Sequence, residues 1–250
     1  MKKRMAIMMT TVVSAAMLLC VPAAAEAVTE QVSEETAEET AVSEEEGEQH
    51  LVNLEGTYEP LFNVILEDEY SDLWLDTAAA IVGEDAAQEM VDYLQNYITG
   101  DLVGEEAAST YTGFDDARFY CGFLQDVAYL TVEGNTISGT DENGEELFSY
   151  EYSYIGYDEN SGFYEYQTDA EDAGEFTYFL FGFDEPGTTY HIEFRYGSDL
   201  EALNNWTEGA YAYWMASGIL TGDEQEQMAH DSVVLFVEEN LGGEEEAATE

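Results

Sequence analysis

The sequence predicts a mainly β protein, an antiparallel barrel with helices before the strands and at the C-terminus. From residue 110 onward, apolar and polar residues alternate with a period of two, most clearly in residues 150–154 and 163–166. Clusters of Asp, Asn and Gly, such as residues 141–144, separate the alternating segments and indicate hairpin turns. Many short strands joined by tight turns are typical of an antiparallel meander that closes on itself.

The elements follow one another in a simple order. A short strand begins in residues 54–58, and helical spacing of apolar residues follows in residues 61–65, 73–81 and 86–98, with breaks at Gly83 and Gly100. The predicted strands are residues 110–114, 117–122, 128–133, 136–140, 146–154, 162–167, 175–182 and 190–196. Residues 199–204 and 223–240 are predicted to be helical. Between these two helices, Trp206, Tyr211, Tyr213 and Trp214 are expected to pack against the barrel.

The first 27 residues are interpreted as a signal peptide. Lys2, Lys3 and Arg4 precede an apolar run over residues 5–19, and the small residues around Ala25 offer a cleavage site. The run is too short for a membrane-spanning helix. The protein is therefore expected to be exported to an extracellular or periplasmic location. A lipid anchor on Cys20 is not favoured, because Leu19 stands where a small residue is needed.

Composition divides the rest of the chain into three parts. Residues 28–50 are an acidic, low-complexity linker expected to be disordered, residues 51–241 are one folded domain, and residues 242–250 are an acidic tail. The formal net charge of the 250 residues is −51, and only Arg118 and Arg195 are basic beyond the signal peptide. Nucleic acid and anionic membranes are excluded as partners because both need cationic patches.

Motifs of common enzymes are missing from the sequence. There is no nucleophile elbow, phosphate-binding loop or His-Glu-x-x-His motif, so a non-catalytic protein is expected. Cys121 has no partner for an intramolecular disulfide and is interpreted as a buried apolar residue. His230, beside Asp231, is interpreted as a surface residue of the last helix.

The strand over residues 190–196 carries a candidate metal site. Alternation places His191, Glu193 and Arg195 on one face and the apolar residues between them on the other. An imidazole and a carboxylate two positions apart can share one cation, and Asp184, in the preceding turn, can supply a third ligand, as in a zinc site. The alternative is a solvated face on which Glu193 and Arg195 pair as surface charges.

Several segments, in the same order along the chain, are similar to those of one known family. They are residues 54–58 as an opening strand, residues 118–135 as a first hairpin, the Tyr-rich residues 152–157, residues 178–181 as a strand before a ligand hairpin, and residues 205–206 with Tyr211 and Tyr213. Over residues 54–241 the chain resembles the ZinT (YodA) family of exported, lipocalin-like zinc-binding proteins.

The resemblance implies a lipocalin/calycin-like barrel and a metal site. The family's His-x-His pair corresponds to His191 and Glu193, and its earlier histidine ligand falls near Asp184. One histidine and two carboxylates suit Zn²⁺ or another divalent cation, since oxygen ligands broaden the range of ions. The resemblance also implies scavenging of the ion or its delivery to the solute-binding protein of a metal importer.

Two other functions are compatible with the sequence. A metal-free, lipocalin-like module for a small apolar ligand is suggested by the aromatic residues expected inside the barrel, namely Tyr150, Tyr152, Phe163, Phe179 and Phe181. Barrels of this size are usually filled by such side chains, however. The other is a surface interaction module with the acidic linker as a spacer.

Overall fold

The computed structural model describes residues 42–98, 100, 102–110 and 119–242. These residues form one antiparallel sheet that curls into a half-barrel, with helices before the strands and at the C-terminal end, so the predicted fold class is confirmed. The strands are β1 Gly56–Pro60, β2 Tyr129–Glu133, β3 Thr136–Thr140, β4 Glu146–Glu151, β5 Ser153–Asp158, β6 Phe163–Gln167, β7 Tyr178–Phe181, β8 Ile192–Gly197 and β9 Ala216–Leu220. The helices are α1 Glu44–Asn53, α2 Leu61–Ile65, α3 Ser71–Val82, α4 Glu84–Ile98, α5 Glu105–Thr110, α6 Leu200–Asn204 and α7 Gln225–Leu241.

Several predicted features lie outside the described residues. These are the signal peptide with Cys20, the linker up to residue 41, residues 111–114 of the strand predicted over residues 110–114, Arg118 and the tail from residue 243. Thr110, predicted to begin that strand, is instead the last residue of α5. Within the described part of the chain, no helix is both long and apolar enough to cross a membrane.

The sheet has the strand order β4-β3-β2-β1-β9-β8-β7-β6-β5. Its two edge strands, β4 and β5, are consecutive in the chain and are joined through the single residue Tyr152. A one-residue link brings the ends of two strands together, so the sheet must curl until its two edges meet at this corner. β1 and β9, which come from opposite ends of the domain, pair at the centre of the sheet.

Aromatic side chains fill the concave side of the sheet. The rings of Phe179 and Tyr196 lie 5.1 Å apart between centroids, and those of Tyr196 and Trp214 lie at the same distance in an edge-to-face arrangement. Such pairs contribute beyond the apolar area that they bury. The largest side chains that are less than 2% exposed include Tyr58, Tyr166, Phe179, Phe181, Phe194, Tyr196 and Trp214.

A second apolar layer lies between the sheet and the helices. Ile219 of β9 packs with buried residues of α2, α3, α4 and α7, among them Ile65, Trp74 and Val233. The indole of Trp74 donates a hydrogen bond of 2.8 Å to the carbonyl of Ile65 and thereby ties α3 to the end of α2. β9 consequently has a packed layer on each face.

Three strand predictions need correction. The strand predicted over residues 146–154 is two strands, because the buried Tyr152 turns the chain there and its backbone N–H bonds the carbonyl of Asn135 at 2.8 Å. Of the strand predicted over residues 117–122, the structure describes residues 119–122, and there Tyr120 forms only an isolated parallel bridge to Trp214. The strand predicted from residue 175 begins at Tyr178, after a short 3-10 turn.

The boundary of the acidic linker was also predicted wrongly. Residues 44–50 were expected to be disordered, but they belong to α1. Ser43 caps this helix, because its hydroxyl accepts a hydrogen bond from the Glu46 backbone while the Glu46 carboxylate accepts one from the Ser43 backbone. Gly47, His50 and Leu51 are buried against the barrel. The cap and this buried face together order a segment whose composition is that of a linker.

Candidate metal site

The predicted alternation along β8 is present in the structure. Ile192, Phe194 and Tyr196 point into the aromatic core. His191, immediately before β8, and Glu193 face the other way and line a small cavity beneath α7. Their side chains are 17% and 13% exposed, respectively, so both are largely removed from solvent.

The imidazole of His191 is fixed in a definite orientation. Its Nδ1 lies 2.7 Å from the carbonyl oxygen of Thr189, and because a carbonyl only accepts, Nδ1 carries the proton of this hydrogen bond. In the neutral ring Nε2 is then an unprotonated acceptor, and it lies 3.8 Å from Oε1 of Glu193. Two electron-rich atoms that face each other across this gap favour a cation between them, either a proton or a metal ion. A histidine whose second nitrogen donates to a carbonyl is typical of metal ligands.

Asp184 lies in the turn before β8 and is only 8% exposed. Burial, and after it the negative charge of Glu193, raise the pKa of the Asp184 carboxyl to about 7, while His191 acts in the opposite direction. For His191, burial alone lowers the pKa, but the hydrogen bond and charge of Glu193 and the charge of Asp184 outweigh it, so the pKa is raised. The three predicted ligands therefore interact electrostatically.

The three side chains are not yet arranged around one point. Across the described residues, no three His, Cys, Asp or Glu side chains are placed to hold one metal ion together. In a tetrahedral zinc site with bonds of about 2.1 Å, neighbouring ligand atoms lie about 3.4 Å apart. The 3.8 Å between His191 and Glu193 is close to this value, so this pair needs only a small rotation. Asp184 has to turn toward them to complete the site.

The cavity beside these residues contains groups that were not predicted as part of the site. It measures about 60 Å³, and besides His191 and Glu193 it is lined by Cys121, Ser232 and Glu239. The Ser232 hydroxyl is buried without a hydrogen-bond partner among the described residues. Cys121 is buried, as predicted, and burial followed by the charge of Glu193 raises the pKa of its thiol. Ser232 and Glu239 are seven positions apart on α7, about two helical turns. This spacing is the one sequence signal that places them on the same face of the helix.

The alternative interpretation, a surface pair of Glu193 and Arg195, is wrong. Arg195 is 1% exposed and lies 5.3 Å from the ring centre of Trp206. Its guanidinium donates hydrogen bonds to the carbonyls of Leu203 and Tyr211, the second at 2.5 Å. Burial lowers the pKa of Arg195 to about 9. Arg195 therefore does not neutralise Glu193, and it is the one lysine or arginine in the described part of the chain.

A larger cleft of about 670 Å³ lies elsewhere, between the end of β1, α2 and residues 120–129. Phe62 and Phe123 form part of its wall, with the acidic residues Glu59 and Asp126 beside them. None of the three predicted metal ligands lines this cleft. Its acidic residues alone do not define a binding site.

We expect the metal-free protein to lose stability as the pH rises from about 6 to about 8. The folded-state pKa values of Asp184 and His191 lie above their ordinary values, whereas burial lowers the pKa of His50 to about 4. The contributions of Asp184 and His50 therefore cancel near pH 5, and above about pH 6 the folded protein holds more protons than the unfolded chain. Each such proton lowers the free energy of unfolding by up to about 1.4 kcal/mol per pH unit. Urea unfolding at several pH values measures this slope.

The Asp184→Asn variant is expected to have a flatter stability profile, because the amide cannot ionise. Asp72→Asn is the matched control, since Asp72 is exposed on α3. An equal flattening in the two variants would show that general charge repulsion, and not the burial of Asp184, sets the slope.

Comparison with known proteins adds two similar structures. No protein-family model matches the chain, and no curated protein matches its sequence. The chain is similar to the Zn(II)-bound ZinT-like domain of Streptococcus pneumoniae AdcA, with a TM-score of 0.46 and 14% identity, covering 73% of this chain and 89% of that one. The TM-score, the identity and the covered share of this chain are the same for Zn(II)-bound AdcA from Streptococcus pneumoniae, and there the match covers 35% of the other chain. The metal-binding proposal rests on this chain's own residues.

Proposed function

We propose that this protein binds a divalent metal ion, with zinc as the preferred ion, through His191, Glu193 and Asp184. The observation that carries the proposal is the contact between Nε2 of His191 and Oε1 of Glu193, two acceptors 3.8 Å apart. With Nδ1 fixed on the Thr189 carbonyl, a bound cation relieves the repulsion between these atoms. Asp184, whose pKa is shifted by the charges of both His191 and Glu193, supplies the third ligand once its side chain turns toward them.

The composition of the ligand set favours capture of the ion over catalysis. Imidazole suits zinc and other transition-metal ions, whereas carboxylates also bind harder ions. Three protein ligands leave a fourth position open for water or for a side chain of another protein. We therefore propose a non-catalytic role in an extracytoplasmic compartment, in which the protein scavenges the ion or passes it to the solute-binding protein of an importer.

The structure gives less support to a metal-free binding module. Such a module needs a hollow barrel, but Tyr152, Phe179 and Phe181 are at least 95% buried and pack against other rings. Phe163 is equally buried in the same core. The concave side of the sheet is thus filled by its own side chains. A ligand would have to displace part of the aromatic core.

Isothermal titration with Zn²⁺ in excess Ca²⁺ tests the proposal. We expect one sub-micromolar site per chain, because Ca²⁺ occupies the acidic surface but competes poorly for a site with an imidazole ligand. Asp184→Asn and Glu193→Gln are each expected to weaken binding at least about tenfold.

The zinc affinity of the unmodified protein is also expected to decrease when the pH is lowered from about 7.5 to about 5.5, since the ligands must lose their protons to bind the ion.

Matched controls are Asp72→Asn and Glu201→Gln, which remove one exposed carboxylate each. Weak binding at many sites, unchanged in Asp184→Asn and Glu193→Gln, would contradict the proposal. It would mean that the acidic surface collects cations without a specific site.

A further inference from the structure

Helix α1 packs one histidine against β6 and the residue that follows β7. His50 is 7% exposed, and its ring stacks on that of Tyr164 with 3.8 Å between centroids and an angle of 8°. Its Nδ1 lies 3.0 Å from the hydroxyl oxygen of Tyr166, which also lies 2.7 Å from the carbonyl oxygen of Gly47, so the single hydroxyl proton of Tyr166 is shared between these two acceptors. α1 is thus attached to β6 by a ring stack and two polar contacts.

The other nitrogen of His50 reaches the segment that leads to the candidate metal site. Nε2 donates a hydrogen bond of 3.0 Å to the carbonyl oxygen of Gly182. Three residues further along α1, the side-chain amide of Asn53 donates a hydrogen bond of 3.3 Å to the carboxylate of Glu185. α1 therefore holds residues 182 and 185, one on each side of Asp184.

Gly182 also lies directly against the site. Its N–H donates a 2.8 Å hydrogen bond to the carbonyl of Glu193. A Cβ atom at Gly182 would lie 3.5 Å from both Oδ2 of Asp184 and that same carbonyl oxygen, so the three residues are in contact. A displacement of Gly182 is therefore transmitted to Asp184 and to the backbone of β8.

We propose that α1 is a working part of the metal site and that His50 is a positioning residue for Asp184. By fixing the Gly182 carbonyl, His50 holds the turn from which Asp184 must reach the ion bound by His191 and Glu193. This inference rests on the proposed metal site. It assigns a role in metal affinity to the segment between the acidic linker and the barrel.

A double-mutant cycle tests the inference. His50→Phe keeps an aromatic ring beside Tyr164 but cannot donate to Gly182, and we expect it to weaken zinc binding about tenfold, as loss of an outer contact of a metal ligand does. In an Asp184→Ala background the same substitution is expected to have no further effect, because no ligand remains for it to position. Glu48→Gln, an exposed change on the same helix, is the matched control and should bind zinc like the unmodified protein.

The outcomes separate this inference from the proposed function. An unchanged affinity in His50→Phe, or an equal loss with and without Asp184, would overturn the positioning role while leaving the metal site intact. If the unmodified protein binds no zinc, or binds it equally well after His191→Ala, the proposed function itself fails.

Hydrogen exchange supplies a test without any substitution, should His50→Phe not fold. Zinc is expected to slow exchange of the α1 amides more than that of the amides of α3, a helix that packs in the other apolar layer. Equal or smaller protection of α1 would overturn the inference.

Discussion

Replacing His191 with alanine is expected to lower the zinc affinity by about 100-fold or more. This residue is the single nitrogen ligand of the proposed site, and its orientation is set by the 2.7 Å contact of Nδ1 with Thr189. Losing an outer contact of a ligand typically costs 10–100-fold, and losing the ligand itself removes a metal bond as well. Isothermal titration of the variant beside the unmodified protein measures the loss.

His230→Ala is the control for this substitution. His230 lies on α7, where its side chain is 50% exposed and contacts Asp231 at 3.0 Å, so the change removes an imidazole from the surface only. We expect zinc binding to be unaffected. Similar losses in the two variants would point to binding by exposed imidazoles, and an unchanged affinity in His191→Ala would rule out the site.

Replacing Trp214 with alanine is expected to lower the free energy of unfolding by about 3–5 kcal/mol, the usual range for a large aromatic residue in a packed core. Its side chain is fully buried, and its ring packs against that of Tyr196 at 5.1 Å between centroids. Its indole donates a 2.8 Å hydrogen bond to the carbonyl of Gly122. The substitution therefore leaves a cavity and also frees the segment before β2. Urea unfolding followed by circular dichroism measures the change.

The Trp214→Phe variant separates the two contributions. It retains a ring in the core but leaves the Gly122 carbonyl without its donor, a change expected to cost about 1–3 kcal/mol. Tyr129→Ala is the control, because Tyr129 is 38% exposed on β2, and its effect should be about 1 kcal/mol or less. A loss in Trp214→Ala no larger than in this control would contradict the assigned packing.

Much of the fold could be predicted because half-buried strands show their structure as alternation. β3 has the predicted bounds, and β2, β6 and β8 differ from prediction by one or two residues at an end, since one face of each carries regular apolar residues. β9 was missed for the opposite reason. Its residues 216–219 are all buried, because Tyr58 and Phe123 cover one side near Gly218 and α7 covers the other. Without a solvent-exposed face there is no alternation to detect.

The chemical features of the site were predicted only in part. Strand spacing placed His191 and Glu193 on one face, and both line the cavity. The role of Arg195 was not predictable from its neighbours on β8, because its partners are the carbonyls of Leu203 and Tyr211 from more distant segments. Glu239 and His50 come from helices at opposite ends of the chain, and no local pattern reports contacts over such separations.

The pairing of β1 with β9 has a consequence for when the chain can fold during its synthesis. Tyr58 of β1 pairs with Leu220 of β9, so the middle of the sheet joins residues from near the two ends of the domain. Contacts between such distant positions form slowly, since a long loop must close first. A growing chain lacks β9 and cannot complete the sheet. The topology thus delays completion of the sheet until almost the whole domain has been synthesised.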